Sequence, residues 1–140
     1  PHELVLDLGA GLGYSTAVMA RLAEAVIGVE EDAALAADAQ RRLAEENVDN
    51  AHIVRAPLTA GSAKHGPYDV IMVEGAVEMI PTAIVDQLKD GGRIGAVFME
   101  GALGVARIGL KQNGKISWRF LFNAAAPVLP GFAAVRGFAL

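Results

Sequence analysis

The chain contains no cysteine, which removes disulfides, thiolate metal sites and a cysteine nucleophile together. Aromatic residues make up only 6% of it, with a single tryptophan, so a mainly aliphatic interior is expected. There is no basic run and the formal net charge is −4, which speaks against a general nucleic-acid surface. No apolar stretch reaches the length of a membrane span, and no charged-then-apolar leader opens the chain. His2, His52 and His65 lie too far apart in sequence to suggest a local metal motif, so no metal is expected.

What is present is 140 residues, 53% of them hydrophobic, enough for one domain with a real core. The Val, Ile, Leu and Ala content suits strands buried on both faces. Leu4–Leu8, Val26–Glu30, His52–Arg55, Tyr68–Val73 and Arg93–Met99 read as strands. Ser15 or Thr16 is expected to cap a helix running to Ala25, with Val18, Met19 and Leu22 on its buried side. Asp32 is a good cap for a second helix to Glu46, carrying Leu35 and Leu43 on one stripe. Ala56–Pro67 reads as loop. Pro81 opens a short helix with Ile84, Val85 and Leu88 inward, ended by Gly91 and Gly92.

Beyond the fifth strand the pattern changes. Val105–Lys111 and Lys115–Phe122 flank Gln112-Asn113-Gly114, and Asn-Gly is a strong hairpin signal. Trp118, Phe120 and Phe122 alternate there as a half-buried strand face. Ala124–Gly131 reads as loop and Ala134–Leu140 as a last strand. The expected fold is therefore α/β: one domain over residues 1–140, its doubly wound sheet mostly parallel, with an antiparallel C-terminal hairpin. Because the first strand starts by Leu4, Pro1 reads as the edge of a fragment.

The segment LVLDLGAGLGYST, Leu4 to Thr16, carries the chemistry. It is the strand, tight turn and helix start at which an α/β sheet usually binds a nucleoside-containing cofactor. A dinucleotide fingerprint needs glycine at its first, third and sixth positions; here the sixth is the bulky Tyr14, and the glycines fall at Gly9, Gly11 and Gly13. Asp7 stands two residues before Gly9, where its carboxylate can accept bonds from the turn's amides or, through water, from a ligand ammonium. These features favour an S-adenosylmethionine turn, with Asp7, Gly9, Ala10, Gly11, Gly13, Tyr14 and Ser15 as cofactor-binding candidates. Packing and helix capping account equally well for Tyr14 and Ser15.

Glu30 closes the second strand on the order of 20 residues beyond the first glycine, the place for a carboxylate that takes both ribose hydroxyls. Glu31 and Asp32 crowd it, and Glu31 is a second candidate contact. Such a carboxylate fits NAD as well as S-adenosylmethionine; it identifies a ribose, not a reaction. Glu74, at the C-terminal end of the fourth strand, faces the cleft where these sheets bind ligands. It could orient a substrate or act as a base with a raised pKa, or be a solvated or capping glutamate.

With those residues in hand, the chain resembles the class I S-adenosylmethionine-dependent methyltransferases, and more narrowly the protein-L-isoaspartate O-methyltransferase family. LVLDLGAGLGYSTAVMARLA resembles the family's first motif, including the Gly13-Tyr14 pair. Pro67–Phe98 resembles its fourth strand, proline-started helix and fifth strand, and Ile84 to Arg93 is especially close. The resemblance implies a Rossmann-like methyltransferase fold and S-adenosylmethionine as cofactor. It further implies methyl transfer to isoaspartyl carboxylates of a protein or peptide, a role in protein repair, and a cytoplasmic setting with neither membrane nor nucleic acid as partner. A carboxylate acceptor is already ionised, so no strong base is required, and Glu74 is the only catalytic candidate.

The chain also departs from the family pattern. Members carry an upstream segment supplying a catalytic serine region and part of the substrate cleft. Pro57 stands where the family has an aspartate that meets the adenine amino group, leaving the Leu58 backbone to meet the ring. Glu74-Gly75-Ala76 replaces Thr-Ala-Ala, and Asn123–Phe132 replaces the closing strand motif. Two other readings therefore stand beside the first: a catalytically inactive scaffold or partner-binding domain, and an NAD(P)-binding oxidoreductase domain, which Tyr14 disfavours.

Overall fold

The computed structural model describes residues 2–11, 13–100, 103–123 and 128–134, with the backbone alone at Tyr14. Their strands are β1 (Leu4–Leu8), β2 (Ala25–Glu30), β3 (Ala51–Arg55), β4 (Tyr68–Val77), β5 (Leu88–Glu100), β6 (Leu103–Gln112) and β7 (Lys115–Asn123). All seven form one sheet in the order β3-β2-β1-β4-β5-β6-β7. The pairings from β3 through β5 are parallel. Those of β5 with β6 and β6 with β7 are antiparallel, as expected for the tail. The α-helices are α1 (Tyr14–Ala20), α2 (Ala33–Glu45) and α3 (Thr82–Val85), and 3-10 turns at Leu58–Ala60 and Ala63–His65 structure the loop after β3.

The continuous apolar runs of the parallel strands are explained by burial: Leu6, Leu8, Val29, Ile71 and Ile94 are all fully covered. Asn113 and Gly114 both adopt positive φ, 53° and 77°, as a two-residue hairpin turn whose twist matches the strands requires. Asp32 caps α2 as expected, its Oδ1 accepting the Leu35 amide at 3.0 Å. The stripe beneath it is made by Ala36, Ala39 and Leu43, whereas Leu35 is exposed.

Several expectations are corrected. α1 ends at Ala20, not Ala25, because Asn50 Nδ2 donates to the carbonyls of Ala20 (2.6 Å) and Ala23 (3.2 Å) and pulls the chain toward β2. Its cap position is Gly13, with no side-chain cap, since the Ser15 and Thr16 hydroxyls both turn to Asp7. The buried side of α1 is Thr16, Ala17 and Ala20; Val18 and Leu22 face outward. Met19 is partly buried.

β4 does not stop at Val73 but runs through a break in its pairing with β5, between Met72 and Ala76, to Val77. α3 is a single turn with Pro81 just outside it, and Leu88 belongs to β5, opposite Tyr68. Lys111 Nζ explains that early stop by donating to the carbonyls of Val85 and Leu88, both at 2.8 Å. Trp118, Phe120 and Phe122 are exposed rather than half-buried, since β7 lies at the edge of the sheet. Of the expected last strand Ala134–Leu140, Ala134 is not in a strand and the rest lies outside the described residues.

Candidate functional site

The strand order reverses between β1 and β4, and an open α/β sheet binds ligands in the crevice beyond the carboxyl ends of strands at such a point. β4 runs past the end of β1, and the edge that β1 vacates is taken by a later segment. Val128 bridges Ala76 in parallel, and the Leu129 amide donates to the Ala76 carbonyl at 2.8 Å. The Glu78 amide then donates to the Phe132 carbonyl at 2.8 Å. Glycine is favoured at Gly75 by its φ of 149° and by the Leu129 side chain, whose Cγ a Cβ would approach to 2.7 Å. The result is a cleft of about 400 Å³. Gly9, Glu30, Glu31 and Asp32 line one side of it, and Leu58, Glu74, Leu129 and Pro130 complete it.

The glycine turn owes its shape to positive φ at Gly9, Gly11 and Gly13, 85°, 57° and 88°. The amides of Gly9 and Ala10 both donate to the Val29 carbonyl, at 2.9 and 3.0 Å, which ties the turn to β2. A Cβ on Gly9 would come within 3.2 Å of the Glu74 carbonyl oxygen, and one on Gly13 within 3.1 Å of the Ala39 methyl. Gly9 thus keeps the cleft open, and Gly13 lets α1 start close against α2.

Glu30 is buried, with each carboxylate oxygen holding one amide: Gly11 on Oε1 at 2.8 Å and Asp32 on Oε2 at 2.9 Å. Each oxygen retains further acceptor capacity, so the carboxylate is fixed in orientation and still able to accept. Glu31 Oε1 accepts the Leu58 amide at 3.2 Å, which engages the backbone group expected to meet an adenine ring.

Asp7 is fully buried behind the cleft. Its Oδ2 accepts the Thr16 hydroxyl at 2.7 Å and the Ser15 hydroxyl at 2.9 Å, while Oδ1 has no donor among the described residues. Burial pushes the Asp7 carboxyl above its ordinary range, and the two hydroxyls pull it partly back. The Glu74 carboxyl lies against it. Burial first, and then the Asp7 charge, push Glu74 up to about 7.

The structure therefore gathers Gly9, Glu30, Glu31, Leu58 and Glu74 around one cleft, with Asp7 behind it. Ala10, Gly11, Gly13 and Ser15 are not among its lining residues; they shape the turn and hold Asp7. The side chain of Tyr14 lies outside the described residues. Sequence reasoning missed Asp32, which lines the cleft as well as capping α2, and the wall of Leu129 and Pro130. The signal for that wall was the departure of Asn123–Phe132 from the closing strand motif. Among the described residues, no group of three or more histidine, aspartate or glutamate side chains is placed to hold a metal ion, and no helix is long and apolar enough to cross a membrane.

A sheet of this order, with a Gly9-Gly11-Gly13 corner and an acidic residue closing β2, defines the class I methyltransferase fold. The sequence model of protein-L-isoaspartate(D-aspartate) O-methyltransferase matches residues 1–123, and the chain belongs to that family. Protein-L-isoaspartate O-methyltransferase 2 of a Polaromonas species is 36% identical over 135 residues, covering 94% of this chain and 63% of that protein. A solved protein-L-isoaspartate O-methyltransferase superposes with a TM-score of 0.86 at 26% identity, over 92% of this chain and 42% of its own. A Plasmodium falciparum chain assigned to the same family, solved with S-adenosyl-L-homocysteine, gives 0.78 at 25% identity, over 92% of this chain and 66% of its own. The chain thus spans less than two thirds of the length of the Polaromonas relative. Membership of this family sets aside the dinucleotide-dependent oxidoreductase reading.

Proposed function

We propose that these 140 residues form one domain that binds S-adenosylmethionine, within a cytoplasmic enzyme that methylates isoaspartyl carboxylates of damaged proteins or peptides. The observation that carries this reading is the fixed Glu30 carboxylate beside a cleft at the β1–β4 switch point, in a chain of this family. The donor set suits a nucleoside with an amino-acid tail. Glu30 offers a diol its remaining lone pairs, Gly9 presents bare backbone, and Asp7 Oδ1 is an acceptor still without a donor. Such a cofactor supplies an electrophilic methyl carbon when bound. The residues here hold and orient it: Glu30 and Glu31 at the sugar, Leu58 as an apolar face, Asp7 and Glu74 toward the charged tail. Leu129 and Pro130 close the cleft against water.

Calorimetry with S-adenosylhomocysteine, NAD and 5′-methylthioadenosine tests the binding part. Saturable binding of the first with none of NAD is expected. Glu30→Ala should weaken it by about 1–3 kcal/mol, since a charged acceptor of two hydroxyls is lost. No binding of any nucleoside would leave the chain a scaffold, a reading favoured so far only by the engaged Leu58 amide and the proline at 57. For activity, the longer protein incubated with an isoaspartyl peptide and labelled cofactor should transfer label, and an unlabelled peptide would reject the acceptor.

A further inference from the structure

Two carboxyl groups set against each other in a buried place cannot both carry full charge unless a cation lies between them. Asp7 and Glu74 are such a pair. Asp7 is fully covered and its Oδ1 lacks any donor among the described residues, so a proton carried by Glu74 is the donor that would satisfy it. Among the described residues, no cationic side chain acts on either carboxyl. α1 offers Asp7 only the hydroxyls of Ser15 and Thr16, and β5 places the apolar Val97 and Phe98 opposite Ala76 and Val77. The titratable groups facing the same cleft are Glu30, Glu31 and Asp32, all acidic, and the wall contributes Leu129 and Pro130.

We propose that Asp7 and Glu74 hold one proton between them and that the cationic amino group of a bound ligand takes its place. Glu74 then selects ligands that carry an amino-acid portion over those that carry only the nucleoside. This rests on the reading of the cleft as an adenosyl-compound site. On binding, one proton leaves the pair for solvent and the ammonium group enters. The pair goes from one negative charge to two, and the ammonium offsets the one gained, so the net charge there is unchanged. The cleft side of Glu74 is half-open, so proton and ligand exchange without unfolding.

The experiment is calorimetry on the 140-residue chain with S-adenosylhomocysteine and with 5′-methylthioadenosine, which lacks the amino group, at pH 6 and pH 8. Buffers of different ionisation heat count the protons released. With Glu74 titrating at about 7, S-adenosylhomocysteine should bind about tenfold tighter at pH 8 than at pH 6, releasing close to one proton at pH 6. Methylthioadenosine should show no such slope. Glu74→Gln, which can still donate to Asp7, should flatten the slope for S-adenosylhomocysteine; Asp7→Asn is the second variant should Glu74→Gln fail to fold. A flat profile in the parent chain, or a slope that survives in Glu74→Gln, overturns the proposal while leaving the adenosyl site intact. Binding of neither compound at either pH overturns the site reading instead. The proton itself is then decided without ligand, by carbon NMR of the Glu74 carboxyl: a midpoint near 7 upholds the shared proton, and one in the ordinary glutamate range refutes it.

Discussion

Glu30 and Gly11 are joined by a 2.8 Å hydrogen bond that closes the corner between β1 and α1 onto the end of β2. The same carboxylate holds the Asp32 amide on its other oxygen, so one side chain fixes both the glycine turn and the start of α2. A residue expected only to grip a sugar is thus also a structural clasp. Its orientation is set before any ligand arrives, which reduces the ordering required on binding.

Removing that clasp should therefore be felt without ligand. Glu30→Ala leaves the Gly11 and Asp32 amides without their partner in a mostly buried place, where an unmet donor costs about 1–3 kcal/mol. Urea unfolding of the two chains should show a stability loss of that size, read as a lower midpoint at unchanged slope. An unchanged midpoint would mean that water or a shift of the turn replaces the carboxylate fully.

Gly13 and Gly11 both have positive φ, but only Gly13 is crowded. A methyl on Gly13 meets the Ala39 side chain and backbone at 3.1 to 3.3 Å, whereas one on Gly11 meets nothing within 4 Å among the described residues. Gly11→Ala should lose only the backbone term, roughly 1 kcal/mol. Gly13→Ala should lose that and an overpacking term of about 1–3 kcal/mol, because α1 has to lift from α2. Equal losses in denaturant melts would show that the two helices have slack.

Gln87 is buried and ties the loop after β3 to the α3 turn through three backbone groups. Its Oε1 accepts the Ser62 amide at 3.0 Å, and its Nε2 donates to the carbonyls of Ala60 (2.8 Å) and Ala83 (3.0 Å). Gly61 fits beneath it only without a side chain, since a Cβ there would lie 2.7 Å from Oε1. Gln87→Leu keeps much of the volume and strands all three backbone groups. A loss of about 1–3 kcal/mol is expected, chiefly from the Ser62 amide, whose bond is the buried one of the three. The loop after β3 should also exchange its amide hydrogens faster, which native-state exchange at Ser62 would read directly.

The order of elements was legible because each parallel strand is an unbroken apolar run and Asn113-Gly114 admits few conformations besides a tight turn. Boundaries were less legible where a distant side chain decides them. Asn50 stops α1 from thirty residues away, and Lys111 stops α3 from across the sheet. Leu22 falls beyond that shortened helix, while Val18 lies within it but off the face that Thr16, Ala17 and Ala20 bury. In the site, Glu30 and the glycines could be found from local spacing. The pairing of Asp7 with Glu74 could not, because it depends on β4 passing the end of β1, and on Gly75 giving way to Leu129.

The raised pKa of Glu74 has a sign for stability as well as for binding. In the unfolded chain the group titrates near its ordinary 4.5, and in the folded one at about 7. Between those values the unfolded state has released the proton that the folded state keeps, so stability falls as pH rises through that window. Its contribution is full below about 4.5 and lost above about 7. Glu74→Gln carries no such proton and should gain on the parent as pH increases. Because Glu74 is only partly buried, solvent screens part of the effect; about 1 kcal/mol, or some 3–5 °C, is the expected gain at pH 8 relative to pH 5. Asp69, whose carboxyl is held below its ordinary range chiefly by the Leu4 amide, titrates alike in both chains and drops out of the comparison. Thermal melts of both proteins at the two pH values give the double difference. A difference of zero would place the Glu74 carboxyl in ordinary solvent and remove both the burial and the Asp7 repulsion that raise it.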